Sequence, residues 1–405
     1  MAKLLENLLF FFLLVFFLAA PSSVAYSEGA LGAVLLLWLV RLVWRGLGWP
    51  FGDVPKLTAL LPPLLVWIAA SGIATIFAQY PGASAEKLLK LLPMGLVFLF
   101  PGISSRPRRL RYALGALVVG GCITSLYGIA YYVNDPSSRL GGFVGFYMTT
   151  AGLLMQIALV AFALLFTTGL ARGLRVLAAG ALPVLLLALF LTDTRGAWIG
   201  LVAGLFLLLP LIRKELAAVP LILVLLLVAL PGKPRETAFS AVDPGHPRNR
   251  ERTFMWKAGL EIFRDHPWAG IGLAGMREVY MKYQDPRSEE KPPHLHSVPI
   301  HLLASMGIIG FAAWLYLFGA LALWMARALP LVRAGPPVAR AAVHAFLGVW
   351  AGFVANGLVE WNLGDVEVIT LFWALVGIAL SGVGAAEGRR RLAPPPPDVS
   401  SGSSS

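Results

Sequence analysis

The chain has 405 residues, of which 58% are hydrophobic and only 13% charged, and its mean hydropathy is +0.76. Soluble domains carry about 25% charged residues, so a water-soluble globular fold is excluded and a membrane protein is expected. The net charge of +12 is concentrated in alternate loops, which makes it a mark of membrane topology and excludes nucleic acid as the expected partner.

Helices of about 17–25 apolar residues can cross the hydrocarbon core. In chain order the sequence predicts about twelve such spans, at 5–21, 30–48, 57–78, 86–103, 110–133, 147–168, 173–192, 195–212, 217–231, 307–328, 338–359 and 364–384. No alternating pattern suggests a barrel, so backbone groups must be satisfied within helices, and an all-α polytopic bundle follows. The expected organisation is nine helices over 1–231, one long polar loop over 232–297, three helices over 298–386, and a Pro/Ser/Gly-rich tail over 387–405 expected to be disordered. The first segment, from Met1-Ala2-Lys3 to Ser23-Val24-Ala25, also has the form of a cleavable signal peptide. The charges downstream already orient a bundle and favour a retained helix. Cys122 is the only cysteine, so no intramolecular disulfide can form.

One set of alternate loops collects Arg41, Arg45 and Lys56, then Arg106, Arg108, Arg109 and Arg111, then Arg172 and Arg175, Arg213 and Lys214, then Arg327, Arg333 and Arg340, and finally Arg389 to Arg391. The positive-inside rule places both termini in the cytoplasm and the 232–297 loop outside. Against this bias the outer turns hold Lys87, Lys90, Arg139 and Arg195.

The outer side then presents Thr192-Asp193-Thr194-Arg195-Gly196-Ala197-Trp198, a loop with Arg248, Arg250, Arg252, Trp256 and Asp265-His266-Pro267-Trp268, and the final turn Glu360-Trp361-Asn362-Leu363-Gly364-Asp365-Val366-Glu367. Five of the six histidines lie in or just after the long loop, which suggests a shared site. Arginine holds two phosphate oxygens at once and stays charged, so Arg195 and Arg252 suit a lipid head group; the plainer reading of Arg195 is a snorkelling anchor. An imidazole titrates near ~6.5 and can take a proton from a hydroxyl, which suits His296 to general-base work; its plainer reading is a helix-start histidine bonded to a carbonyl. A zinc site from His294, His296 and an outward carboxylate is a minor alternative. Arg248 and Arg250 read as solvated, Trp256 and Trp268 as an interfacial belt, His344 as a packed bundle residue, and Lys87 and Lys90 as helix-end residues. Asp265-His266-Pro267 is expected to end a loop helix, with Gly270 and Gly272 permitting tight backbone geometry.

Three motifs together resemble the O-antigen ligase family, which includes lipopolysaccharide ligases, O-antigen polymerases and protein O-oligosaccharyltransferases. They are Thr194-Arg195-Gly196-Ala197-Trp198 with Gly200; Arg252-x-x-x-Trp256 followed by Asp265-His266-Pro267-x-x-Gly270-x-Gly272; and His296-Ser297 followed by Gly307 and Gly310. Thr194 stands where the family more usually has Ser, and Ser297 where it has Asn. The resemblance implies a GT-C-like glycosyltransferase in the bacterial inner membrane, its active site facing the periplasm. It implies an undecaprenyl-diphosphate-linked glycan as donor, inversion at the anomeric carbon, and no metal or other cofactor. His296 would be the base, and Arg195 and Arg252 would bind the diphosphate. Arg139, Arg250, His294, Asp365 and Glu367 are further candidates for substrate contact, Asp365 and Glu367 also for orienting His296. Lipid A–core is the first expected acceptor, with a growing polymer or a protein as alternatives. Membrane lipids are the remaining expected partner. Rival classes are a small-solute transporter, which is expected to place ionisable groups near the midplane, and an envelope scaffold.

Overall fold

The computed structural model describes residues 2–45, 57–104, 106–136, 138–229, 235–236, 239–240, 243 and 245–392. Lys56, the end of the second expected span, parts of the stretch 230–244 and the tail beyond 392 lie outside the described residues. Within them all regular structure is helical.

Helices α1 (Ala2–Ala19) and α2 (Val24–Arg45) form a hairpin, and α3 (Leu61–Ile76) follows with prolines in its first turn, where their missing N–H costs nothing. The fourth expected span is not one helix. It divides into α4 (Pro81–Lys87), a 3₁₀ segment (Leu88–Gly95) and α5 (Leu96–Ser104). Pro93 and Pro101 lie inside it and remove donors that a continuous α-helix needs. Next come α6 (Pro107–Asn134), α7 (Tyr147–Phe166), α8 (Arg172–Leu191), α9 (Arg195–Ile212) and α10 (Val219–Ala229). The long loop folds into α11 (Pro247–Asp265) and α12 (Met276–Tyr283), and the chain returns through α13 (Val298–Arg333), α14 (Pro337–Gly357) and α15 (Val366–Leu392). Helix α15 runs past the expected boundary at 386, and Arg389, Arg390 and Arg391 in its last turn oppose the negative end of the helix dipole. Among the described residues α6, α7, α8, α9, α13, α14 and α15 are long and apolar enough to cross a membrane. The all-α polytopic class holds.

Helices α7 and α15 are buried along most of their length, and α14 packs against α7, α9 and α15. The α9–α14 contact is close because glycines meet glycines. A Cβ on Gly200 would lie 2.6 Å from the carbonyl oxygen of Gly352, and one on Gly204 2.7 Å from that of Gly348. Small residues four apart on both helices bring the backbones together. The same register sets Gly196 against the side chain of Asn356. The first turn of α9 therefore abuts the last turn of α14.

Helices α11 and α12 have their own small core, including Met255, Ile262, Ile271, Tyr280 and Leu295. Helix α13 begins well before the expected 307, but its path breaks at Gly307, where φ is +63°. The segment after α11 fills the break. Ile271 N–H donates to the Ala304 carbonyl (3.0 Å), Gly272 N–H to Ser305 (2.9 Å), and Ile308 N–H to the Pro267 carbonyl (2.8 Å). A Cβ on Gly270 or Gly307 would strike backbone 2.3 Å away. Groups released by the kink are thus satisfied by the loop, the condition for non-helical backbone at membrane depth.

Candidate active site

Helix α11 presents one working face. Residues four apart on a helix share a side, and residues two apart lie on nearly opposite sides. Arg248, Arg252 and Trp256 share a side: Arg248 Nη1 lies 3.5 Å from Asp193 Oδ2, Arg252 Nη2 lies 3.5 Å from Glu360 Oε2, and Trp256 Nε1 donates to the Leu295 carbonyl at 3.1 Å. Trp256 thereby holds the chain next to His296. Trp268 is 71% exposed. Arg250 points elsewhere, is exposed, and is not brought into the cluster.

Glu360 is the centre of the site. It lies in the turn between α14 and α15 with its side chain only 12% exposed. Its Oε1 accepts from His296 Nδ1 (2.9 Å) and from the Trp361 backbone N–H (3.0 Å), while Oε2 faces Arg252. Burial pushes the carboxyl upward, but the His296 hydrogen bond and the charges of His296 and Arg252 outweigh it and leave the group at about 2. An ionised carboxylate only accepts hydrogen bonds. In the neutral imidazole the N–H therefore sits on Nδ1, which leaves Nε2 as the acceptor. His296 itself is held at φ +46°. The two non-glycine residues with positive φ among the described residues are Asp193 and His296. Such strain costs about 1–3 kcal/mol and persists where surrounding structure enforces it, typically at functional sites.

Asp193 organises the neighbouring charges. Arg139 Nη2 lies 3.3 Å from Asp193 Oδ2, and its guanidinium sits 4.5 Å over the Tyr147 ring. Arg195, at the start of α9, is only 8% exposed and donates through Nη1 to the Ser240 carbonyl. Arg252, Asp193 and Arg139 are all near enough to act on its charge. The structure therefore gathers Arg139, Arg195, Arg248 and Arg252 on one side of the His296–Glu360 pair.

His294 lies on the other side, its ring 4.2 Å from that of His296. Burial, then the charge of His296, lower its titration to about 4, and its Nδ1 is buried without a partner. His301, on α13, packs its ring 3.8 Å from Trp361. The shared histidine site thus comprises His294, His296 and His301. His246 and His266 sit at the two ends of α11 instead. His344 is buried in α14, and neither ring nitrogen has a partner among the described residues.

Asp365 and Glu367 do not orient His296; Glu360 does. Asp365 accepts from Thr149 at 2.7 Å. Burial and the adjacent Glu367 carboxyl push it up to about 7. The two carboxyls line a polar cavity of about 440 Å³ together with Lys90, His294, Glu360 and Trp361. His294, His296 and Glu360 also offer ligand atoms within 4.8 Å of one another, enough to hold a zinc-type ion. An ion there would have to displace the hydrogen bond between His296 and Glu360 and share the carboxylate with Arg252.

Sequence reasoning missed Glu360 and Arg248. The 248/252/256 spacing was a readable signal for Arg248. Nothing in the sequence separates Glu360 from its carboxylate neighbours on the same turn.

The fold and site together define a polytopic helical bundle of the membrane-protein class, with a buried histidine–carboxylate pair flanked by arginines at one end. A family model described as O-antigen ligase matches residues 180–315, a stretch that holds Arg195, Arg252 and His296. The matched stretch is similar to the O-antigen ligase family, and the match lies within residues 180–315. No curated protein matches the chain.

Proposed function

We propose that this protein is a metal-independent, inverting glycosyltransferase of the bacterial inner membrane. It moves a glycan from an undecaprenyl-diphosphate donor to an acceptor hydroxyl on the periplasmic face. Lipid A–core is the first candidate acceptor, and a growing polysaccharide or a protein the alternatives. The observation that carries the reading is the buried Glu360 carboxylate joined to both His296 and Arg252, with Arg195 beside them.

The chemistry follows from that geometry. Glu360 holds the His296 N–H, so Nε2 accepts the proton of the acceptor hydroxyl, as the carboxylate does in a catalytic triad. The hydroxyl oxygen forms a bond to the anomeric carbon as the bond from that carbon to the diphosphate oxygen breaks, inverting the centre. The leaving diphosphate carries the electron pair and its charge is met by Arg195 and Arg252, a preorganised cationic wall. Arg139 and Arg248, tied to Asp193, extend that wall toward the glycan, and Arg250 lies on its solvent side. His294, Asp365 and Glu367 border the cavity in which the acceptor sugar sits.

Purified protein given lipid-linked glycan and acceptor tests the reading. In His296→Ala, turnover is expected to fall about 10²–10⁴-fold with the fold intact, the usual contribution of a positioned base. Near-normal turnover would remove His296 from the mechanism.

A further inference from the structure

Beneath His294 lies a cavity of about 510 Å³ that is separate from the arginine wall. Its lining is largely apolar, with Met94, Leu302, Met306, Leu317, Phe318 and Trp373 contributed by the 3₁₀ segment, α13 and α15. Its rim carries Lys87, Lys90 and Arg277 against a single carboxylate, Glu278. Lys87 and Arg277 are exposed and make no salt bridge among the described residues. Lys90 uses one donor on the Gly364 carbonyl at 2.6 Å, leaving two N–H groups. An apolar chamber under a cationic rim matches an anionic lipid: chain inside, phosphate at the mouth. The volume falls within the range of about 300–1,000 Å³ usual for ligand sites.

The cavity also connects to the chemistry. Lys90, His294, Trp361 and Gly364 line both it and the polar cavity that Glu360 borders. Arg195 and Arg252 line neither. The His296–Glu360 pair therefore stands between two separate sets of cations, and a transfer reaction has two substrates to hold. Lys87 and Lys90 also run against the charge bias of the loops, which topology leaves unexplained. The break of the fourth span into a 3₁₀ segment is what sets Lys90 at the mouth.

We propose that this cavity holds the lipid end of the acceptor, whose sugar reaches into the adjoining cavity of Glu360, and that it takes a lipid-anchored, phosphate-bearing acceptor whose phosphate is bound by Lys87, Lys90 and Arg277. The assignment rests on the transferase reading above. It makes the reaction a transfer from one membrane lipid to another, which excludes a protein acceptor.

The test uses the full-length protein in uncharged detergent and a photoreactive farnesyl monophosphate, with the matching photoreactive farnesol as neutral control. Labelling is expected on peptides containing Met94 and Leu302–Met306. It should drop about tenfold in the Lys87→Ala/Arg277→Ala variant, whose changed residues are exposed. It should persist in Arg195→Ala/Arg252→Ala. Equal labelling by farnesol, indifference to the rim variant, or loss in the arginine variant would each overturn the site. In transfer assays with a phosphorylated glycolipid acceptor, the rim variant should raise the acceptor KM and leave the donor KM unchanged. A raised donor KM overturns the acceptor assignment, as does equal transfer to a water-soluble peptide acceptor. Absence of transfer by the wild-type protein with any lipid-linked donor would sink the transferase reading itself, whatever the labelling shows.

Discussion

Glu360 and Asp365 stand on the same turn between α14 and α15, and their fates are opposite. Glu360 is buried and ionised, held at about 2 because His296 and Arg252 outweigh its burial. Asp365 is buried beside another carboxyl, with Thr149 as its hydrogen-bond donor, and is pushed up to about 7. Burial acts on both in the same direction; the cations decide. A carboxyl facing imidazole and guanidinium becomes a fixed charge that can orient a base, and one facing a carboxyl is biased toward its protonated form.

The sharpest way to break this contrast is Glu360→Ala. It removes the partner of His296 and takes the counter-charge from the half-buried Arg252, so kcat is expected to fall about 10²–10⁴-fold. Losing the carboxylate that joins Arg252 and His296 is also expected to lower Tm. Transfer kinetics and thermal unfolding together check this, and full activity in the variant would remove Glu360 from the site. Glu360→Gln keeps the shape and loses the charge, and a smaller loss is expected.

Arg252→Ala should lower kcat by about 10²–10³-fold, the scale for one lost transition-state donor. Arg252→Lys should recover only part, because an ammonium lacks the planar fork. Recovery to wild-type turnover would show that a point charge is enough.

Metal separates the two readings of the histidine cluster. Excess chelator is expected to leave turnover unchanged. Added zinc should inhibit, because it competes for Nδ1 of His296 and the Glu360 carboxylate. Loss of activity in chelator, restored by one divalent metal, would overturn the metal-independent mechanism.

The smallest effect is on stability against pH. The Glu360 carboxyl is depressed from 4.5 to about 2, so its contribution is complete above pH 4.5 and is lost as pH falls toward 2. Asp365 is raised from 3.8 to about 7, so it destabilises the fold progressively as pH rises from 3.8 to 7. Asp365→Asn is expected to raise Tm at pH 8 and to leave it nearly unchanged at pH 4. An equal shift at both values would mean that the carboxyl is not held protonated.

Particular elements show how much could be read in advance. The turn between α8 and α9 was legible because Arg195 follows a long apolar run and begins another. Arg195, Arg252 and His296 were legible as a set because the charge bias places all three on the side that holds most of the histidines, and each lies in one of the three motifs. The split of the fourth span was less so, since hydropathy does not register the donors that Pro93 and Pro101 remove. The early start of α13 was missed because the mostly apolar run at 298–306 is set off from the rest of the helix by the break at Gly307, where the Pro267–Gly272 segment docks.

Composition and hydropathy alone determined that this chain is an all-helical membrane protein with a polar face at one end, because the bilayer admits few other solutions. Which carboxylate reaches His296, which arginines flank it, and which lysines border a second cavity were decided only when α9, α11 and the α14–α15 turn packed together. Those contacts join positions as far apart as 195, 252, 296 and 360, and side-chain charge carries no information about such partners until backbone packing fixes the distances.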